Sequence, residues 1–202
     1  MAEVIGATTD EALVEAFQAG DSSAFDELVQ RWERRIRGAI YRIVGPTEDA
    51  RDLCQETFLK AYRGLDTFKR EARFSSWLYQ IALNVCRDRH RRRKGKTQIS
   101  LDGPEGASEA ARPWDGPNPL QLVEGRDLSR MVSAAVAALP DEQREVVILK
   151  EYQDLTFQEI AEALDVPVST VKTRLYRGLG VLRQRLERQG IRHATPVPSL
   201  SQ

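Results

Sequence analysis

The 202-residue sequence has only two cysteines and two histidines, and its 30 basic residues are balanced by 30 acidic ones. Cys54 and Cys86 lie far apart, there is no paired CxxC, and the histidines are His90 and His193. That spacing excludes the usual zinc motifs, and a structural disulfide is not expected in a reducing compartment. We expect both cysteines to be small buried apolar residues. We expect no metal site and no cofactor.

Long hydrophobic runs are also missing. No apolar stretch approaches the length that spans a bilayer, and the N-terminal residues lack the basic-then-apolar order of a signal peptide. These two absences predict a cytoplasmic protein. Hydrophobic residues make up 41% of the sequence, which is enough to build packed cores.

Strand-like alternation and enzyme motifs are missing as well. No phosphate-binding loop, metal-binding carboxylate pair or nucleophile–base constellation is present. We therefore expect an all-α protein that is not an enzyme and has no catalytic residues.

Helical periodicity divides the chain into two units. In the first, breaks at Gly20 and Gly45-Pro46 separate helices predicted at about Asp10–Ala19, Asp21–Val44, Thr47–Leu65 and Ser75–Arg93. In the second, helices are predicted near Leu120–Leu139, Asp141–Tyr152, Thr156–Leu164 and Val168–Arg188. The predicted organisation is two small helical domains, residues 10–96 and 120–188, with a flexible acidic linker at 97–119 and a disordered tail at 189–202.

The zero net charge hides a strongly uneven distribution. Residues 87–96 contain seven basic residues and one acid, a net charge of +6. Residues 166–188 contain six basic residues and one acid, a net charge of +5, whereas residues 97–126 carry a net charge of −3. Two basic segments separated by an acidic one indicate two contacts with a polyanion.

The second basic segment lies in the most informative pattern of the chain. Residues 155–186 read as two amphipathic helices joined by a turn at Asp165-Val166-Pro167, which is the helix-turn-helix pattern. Near its start the second helix offers side chains that bond phosphates and base edges: Ser169, Thr170, Lys172, Thr173, Arg174, Tyr176 and Arg177. DNA binding therefore explains this helix better than a merely solvated basic face does.

Two further motifs are ambiguous from physics alone. In the helix that contains DLCQETFLKAYRGL, an apolar stripe is predicted to face inward, and a polar face that would ordinarily be solvent-exposed points outward. The inward stripe is Leu53, Phe58, Ala61, Tyr62 and Leu65, and the outward face is Asp52, Gln55, Glu56, Leu59, Lys60 and Arg63. Aromatics followed by dense arginine, between Phe74 and Lys94, suit nucleic acid, although core packing is favoured for Trp77 and simple solvation of the arginines is an even alternative.

Together the motifs resemble those of bacterial RNA polymerase sigma factors of the extracytoplasmic-function (ECF, group IV) subfamily of the sigma-70 family. The resemblance covers about Asp10 to Arg188 and is carried by GDSSAFDELVQRW, DLCQETFLKAYRGLDTF, FSSWLYQIALNVCRDRHRR and LTFQEIAEALDVPVSTVKTRLYRGLGVLR. It implies a dissociable subunit that directs promoter-specific initiation, as in a stress or envelope response. The implied partners are promoter DNA, core RNA polymerase through the coiled coil of its largest subunit and its flap region, and an anti-sigma factor. That inhibitor is able to hold the chain at the inner membrane face, and no membrane insertion of its own is implied.

The same resemblance assigns roles to residues. It implies core-polymerase binding by Asp52, Gln55, Glu56, Phe58 and Leu59. It implies recognition and melting of the −10 element by Lys69, Arg73, Asn84, Arg87 and Arg91. Within the helix-turn-helix from Phe157 to Tyr176 and just beyond it, it implies recognition of the −35 element by Ser169, Thr170, Lys172, Thr173, Arg174 and Arg177.

The turn of the helix-turn-helix departs from the family pattern, and the sequence also allows an alternative function. The turn has Asp165 where many relatives carry glycine, and since Asp tolerates a left-handed backbone better than most residues, we expect the turn to survive. The alternative function is a stand-alone helix-turn-helix regulator with an N-terminal sensing domain. No ligand pocket or phospho-acceptor pattern for such a sensor is visible in the N-terminal half.

Overall fold

The computed structural model describes residues 8–45, 48–69, 72–99 and 123–191, and all regular structure in these ranges is helical. The predicted all-α fold is therefore confirmed. The helices are α1 (Asp10–Gln18), α2 (Ser23–Val44), α3 (Glu48–Gly64), α4 (Phe74–Ile99), α5 (Val123–Ala137), α6 (Asp141–Glu151), α7 (Phe157–Leu164) and α8 (Val168–Arg188), with a 3-10 turn at Leu65–Thr67.

Helices α1 to α4 pack around a stripe on α2. Leu28, Trp32, Ile36 and Ile40 follow one another at intervals of four residues, so they share one helical face, and all four are buried. The Trp32 indole donates from Nε1 to Asp10 Oδ2 at 2.9 Å, which ties α1 to α2. This scaffold holds α3 and α4 side by side with one face of each left outward.

Helices α5 to α8 form the second unit, with α6 at its centre. Four consecutive apolar residues of α6, Val146 to Leu149, are buried, which requires neighbours on several sides of the helix. Gly178 allows α8 to approach closely, because a Cβ there would lie 3.0 Å from a methyl carbon of Val147. Even an alanine at Gly178 would require Val147 or the α8 backbone to shift by a few tenths of an ångström.

The two units pack against each other. Helix α4 contacts α7, helix α2 contacts α6, and the buried side chains of both units form one continuous cluster. Ion pairs and hydrogen bonds also join the two units across this boundary. A cleft of about 910 Å³ enters it, lined by α2, α4, α5, α6 and α8 among other segments.

The structure differs from the sequence-based expectations in two places. Helix α4 ends at Ile99 rather than near Arg93, because arginine and lysine are good helix formers and a basic run does not by itself end a helix. Tyr62 was expected to face inward, but 48% of it is exposed. The expected linker lies outside the described residues except for 97–99, and so do residues 192–202 of the expected tail. None of the helices in the described part of the chain is both long and apolar enough to cross a membrane.

Candidate nucleic-acid and protein interfaces

The outward face of α3 combines acidic, amide and apolar side chains. Asp52 and Gln55 are exposed, and Glu56 forms a 3.0 Å ion pair with Lys60 one turn later. Leu59 is 56% exposed, whereas Phe58 is half-buried and packs against the core. This face therefore combines one exposed apolar side chain with hydrogen-bonding and charged groups.

Tyr62 extends this face, although its spacing along α3 predicts a place in the core. Its ring packs edge-on against Phe17 and Phe25, with centroid distances of 5.4 and 5.1 Å, while its outer part stays exposed next to Leu59 in the helical register. Tyr62 follows Phe58 by four residues and Leu59 by three. The periodicity therefore allowed either an inward or an outward position, and only the packing of α1 and α2 decides it.

The residues predicted to contact the −10 element lie before α4 and along its middle, in different environments. Asn84 is exposed and has no hydrogen-bond partner among the described residues, and Lys69 is exposed just before the α4 segment. Arg91 pairs with Asp88 at 3.1 Å on its own helix. Asn84, Arg87 and Arg91 are spaced by three and four residues and so share one face of α4.

Arg87 is engaged by the second unit. Its Nε and Nη2 donate to the two carboxylate oxygens of Glu145 on α6, at 3.0 and 2.6 Å. These bonds raise the pKa of Arg87, outweighing the effect of partial burial. Glu145 is only 3% exposed, so it is the buried member of the pair. The guanidinium, the carboxylate and their bidentate geometry make this the most specific polar contact between the units.

Arg73 also contacts the second unit, through a single ion pair in which its own side chain stays 70% exposed. Its Nη1 lies 2.8 Å from Glu159 Oε1 on α7, so a residue of the predicted −10 set contacts the helix-turn-helix. Tyr79 on α4 donates its hydroxyl to Gln153 Oε1 at 2.8 Å, in the segment between α6 and α7. Sequence reasoning could not find these partners, because they lie far apart along the chain and depend on the packing of two units.

The helix-turn-helix is built by local capping. Thr156 accepts a hydrogen bond from the Glu159 backbone N–H at 3.2 Å, and the Glu159 carboxylate accepts from the Thr156 backbone N–H at 2.8 Å, which is a capping box. Burial opposes ionisation of Glu159, but the hydrogen bonds from Thr156 and the charge of Arg73 outweigh it and lower the pKa of Glu159. Asp165 then turns the chain with φ 54° and ψ 52°, so the predicted left-handed turn is confirmed.

Helix α8 presents the predicted reading side chains in two groups. Ser169, Lys172, Thr173 and Arg177 are exposed on one face. Thr170 is half-buried, and Arg174 is 21% exposed with its Nη2 2.9 Å from Glu142 Oε2 on α6. The exposed group is therefore the accessible part of the predicted reading set, and Arg174 is partly buried at its edge.

A basic and aromatic contact supports the start of α8. The Lys172 ammonium lies 5.6 Å from the ring centroid of Phe157 on α7, and the Lys150 ammonium lies 5.2 Å from the same ring. Two ammonium groups beside one ring concentrate positive charge near the turn. That charge and the positive end of the α8 dipole favour a phosphate.

The surroundings of the two cysteines make their thiols weakly acidic. Cys54 and Cys86 are both buried and free, which confirms the expectation from sequence. Burial raises the pKa of Cys54 to about 11 and that of Cys86 to about 12. No cluster of three or more histidine, cysteine, aspartate or glutamate residues that could hold a metal occurs within the described residues.

These features define an all-α protein with a helix-turn-helix. Its second helix, α8, is basic, and α3 presents a polar outward face. The family models for Sigma-70 region 2 and Sigma-70, region 4 match residues 28–96 and 129–182. The chain is 36% identical over 176 residues to the ECF RNA polymerase sigma factor SigW of Bacillus subtilis, covering 86% of this chain and 94% of that protein. It is 34% identical over 172 residues to the ECF RNA polymerase sigma-E factor of Escherichia coli, covering 84% and 90%.

Solved structures show the same fold. The sigma factor RpoE from Bartonella quintana, in complex with the anti-sigma factor NepR, superposes with a TM-score of 0.68 at 24% identity, covering 81% of this chain and 96% of that one. CnrH, in complex with the cytosolic domain of CnrY, gives a TM-score of 0.66 at 24% identity, covering 89% and 97%. On the sequence relationships, the chain belongs to the ECF sigma factors of the sigma-70 family.

Proposed function

We propose that this chain binds core RNA polymerase and directs it to promoters by recognising −35 and −10 elements. One observation carries the proposal: the helix-turn-helix and the α3–α4 unit occur in one chain that aligns with nearly the full length of ECF sigma factors, 94% of SigW among them. A stand-alone helix-turn-helix regulator would not need the α3 face. The names of the relatives suit a role in a stress or envelope response.

Core binding is assigned to the outward face of α3. Leu59 provides exposed apolar area, and Tyr62 extends it by one turn. Asp52, Gln55 and Glu56 surround it with groups that pair with basic and amide side chains. An apolar anchor within a polar rim is how stable protein interfaces are built, and it suits a coiled-coil partner. Phe58 acts from below by packing against the core and fixing the orientation of this face.

Recognition of the −10 element is assigned to α4 and the segment before it. Asn84 offers both a donor and an acceptor to a base edge, and its lack of a partner among the described residues leaves both available. Lys69, Arg73, Arg87 and Arg91 supply phosphate contacts along the same side. Opening base pairs costs several kcal/mol, and contacts to the displaced strand offset this cost.

Recognition of the −35 element is assigned to α8. Ser169, Lys172, Thr173 and Arg177 are exposed near its N-terminal half, the part of a recognition helix that contacts base edges. Thr170 and Arg174 lie at the edge of this face.

We further propose a division into residues 10–96 for core binding and the −10 element, a linker at 97–119, residues 120–188 for the −35 element, and a tail at 189–202. The chain acts as a non-catalytic subunit in the cytoplasm, restrained by an anti-sigma factor until a signal releases it. The complexes of RpoE with an anti-sigma factor and of CnrH with CnrY support such a partner.

Run-off transcription tests the proposal. Core polymerase with the purified chain is expected to give discrete transcripts from a library of genomic templates, whereas core alone gives none at those positions. If the chain bound promoter DNA without core and never changed the start sites, the stand-alone regulator would be the correct reading.

A further inference from the structure

The boundary between the two units contains a series of polar contacts that join residues of the first unit to residues of the second. Three of them are hydrogen-bonded or ionic: Arg87 with Glu145, Arg73 with Glu159 and Tyr79 with Gln153. A fourth places the Arg42 guanidinium 4.4 Å from the ring centroid of Tyr152. These contacts run along α4 and the end of α2 on one side and along α6 and α7 on the other.

The Arg87–Glu145 pair dominates this series. Two charge-assisted bonds, at 3.0 and 2.6 Å, join a guanidinium to a carboxylate that is almost completely buried. Such bidentate pairs are stronger and more directional than single hydrogen bonds. A buried carboxylate that lost its arginine would be left with a desolvation cost until water replaced it. The pair therefore disfavours any packed arrangement in which Glu145 stays buried without Arg87.

The interface nevertheless has the character of one that can separate. It is rich in charged and hydrogen-bonding groups, and a cleft of about 910 Å³ penetrates it. Interfaces of this kind between domains of one chain resemble transient protein–protein interfaces. The two family models also match the units separately, at residues 28–96 and 129–182.

The packed arrangement cannot read a promoter at two places. By their names the −35 and −10 elements lie about 25 base pairs apart, which is about 85 Å of B-form DNA at about 3.4 Å per base pair. In this structure Arg73, from the segment proposed to hold the −10 element, touches Glu159 of the helix-turn-helix at 2.8 Å. Arg87 is held by both oxygens of a carboxylate where a DNA phosphate is proposed to bind, and Arg73, although 70% exposed, also contacts a carboxylate.

We propose that the Arg87–Glu145 pair is a latch that holds the free chain in a closed, promoter-incompetent form. Opening exchanges the Glu145 carboxylate for a DNA phosphate as the partner of Arg87, so the same guanidinium stabilises either the closed form or the promoter-bound form. The latch is internal to the chain and operates without an inhibitor. This inference rests on the proposed function for its consequence, but the closed form itself can be measured without polymerase or DNA.

The test is a distance measurement on the full chain. Spin labels on cysteines introduced at two exposed positions, Arg34 on α2 and Gln184 on α8, report the separation of the units. The native thiols are buried, and the chain without added cysteines measures any background labelling. The wild-type background is expected to give one narrow distance distribution. Glu145→Gln is expected to shift the closed–open equilibrium toward longer distances by about tenfold to a hundredfold, the worth of hydrogen bonds to a charged group.

Three variants control the interpretation. Glu33→Gln breaks the exposed 3.2 Å pair with Arg37 within α2 and is expected to leave the distances unchanged. The exchanged pair, Arg87→Glu with Glu145→Arg, is expected to restore part of the narrow distribution. If Glu145→Gln lowers the helical content, Tyr79→Phe removes only the hydroxyl that bonds Gln153 and should broaden the distribution by a smaller amount.

Unchanged distances in folded Glu145→Gln and Tyr79→Phe would overturn the latch. Promoter binding by the free chain is the second measurement, because Glu145 is not part of the proposed DNA-contacting set. Glu145→Gln is expected to bind promoter duplex more tightly than wild type. If the variant opens but its affinity for promoter duplex does not rise, the closed form does not inhibit promoter binding. If the wild-type chain gives no promoter-specific transcription but Glu145→Gln still lengthens the spin-label distances, the proposed function is contradicted and the latch is not.

Discussion

Arg174 on α8 and Glu142 on α6 form an ion pair, with Nη2 2.9 Å from Oε2. The arginine is the buried partner, with 21% of its side chain exposed, while 70% of the Glu142 side chain is exposed. The pair ties the recognition helix to the neighbouring helix at the edge of the reading face. In the proposed role, Arg174 must leave this carboxylate before it contacts DNA, so substitutions of Arg174 and of Glu142 both test that role.

Arg174→Ala is expected to weaken binding to the −35 element by about 1–3 kcal/mol if the side chain reads a guanine through two hydrogen bonds. Glu142→Gln is expected to strengthen binding to the −35 element, because it releases the Arg174 guanidinium. Both affinities are measured on promoter and scrambled duplexes at one salt concentration. An equal change on the two duplexes would show that Arg174 contacts phosphate only. A loss of folding stability in both variants without any change in affinity would make the pair purely structural.

Glu56→Lys is expected to impair binding to core polymerase while preserving the helical content. The substitution reverses a charge on the outward face of α3 and places it next to Lys60, which now pairs with Glu56 at 3.0 Å. Glu187→Lys on α8 is a matched control, since Glu187 also forms an exposed pair four residues from its partner, Arg183, at 2.8 Å. Affinity for core is measured by fluorescence anisotropy. Equal affinities for wild type and Glu56→Lys would remove the assignment of the α3 face.

The capping box of α7 predicts a pH-dependent contribution to stability. The pKa of Glu159 is lowered from 4.5 in the folded chain, so its carboxylate contributes most above that value and the contribution is lost as the pH falls through the lower, folded pKa. The difference in urea midpoint between wild type and Glu159→Gln is expected to be largest near neutral pH and to shrink in acid. Glu162→Gln, on the same helix but outside the box, is the control. A difference that grew in acid would contradict the assignment.

Thiol reactivity gives a further prediction. Because burial raises the pKa of Cys54 to about 11 and that of Cys86 to about 12, both thiols stay protonated at neutral pH. A thiol reagent is expected to modify neither cysteine in the folded chain and both in urea. Mass spectrometry identifies the modified residue. Rapid modification of either cysteine in the native chain at neutral pH would show that its surroundings are more open than the structure indicates.

The local features of the fold could be predicted from the sequence because they depend on neighbouring residues. The helix-turn-helix, its left-handed Asp165 and the burial of both cysteines follow from periodicity and residue type, and all three are confirmed. The position of Tyr62 could not be predicted, because its place between the inward and outward faces of α3 is decided by Phe17 and Phe25 on other helices.

The partners of the basic residues were equally beyond a sequence-based prediction. The family resemblance implies DNA-contacting roles for Arg87, Arg73 and Arg174. In the structure each meets a carboxylate from another helix: Glu145, Glu159 and Glu142. Such pairs depend on how helices distant in sequence pack. The charge pattern predicts that these side chains seek an anion, but it does not say which anion holds them in the free chain.

A footprint of the holoenzyme on a mapped promoter tests most directly whether one chain reads a promoter at two separate places. Wild type is expected to protect both elements and to open the −10 region. Arg177→Ala on α8 is expected to lose protection at −35 only, and Asn84→Ala on α4 is expected to lose opening at −10 while retaining protection at −35. If both variants lost the same element, or if neither changed the footprint, the two-site account would be contradicted.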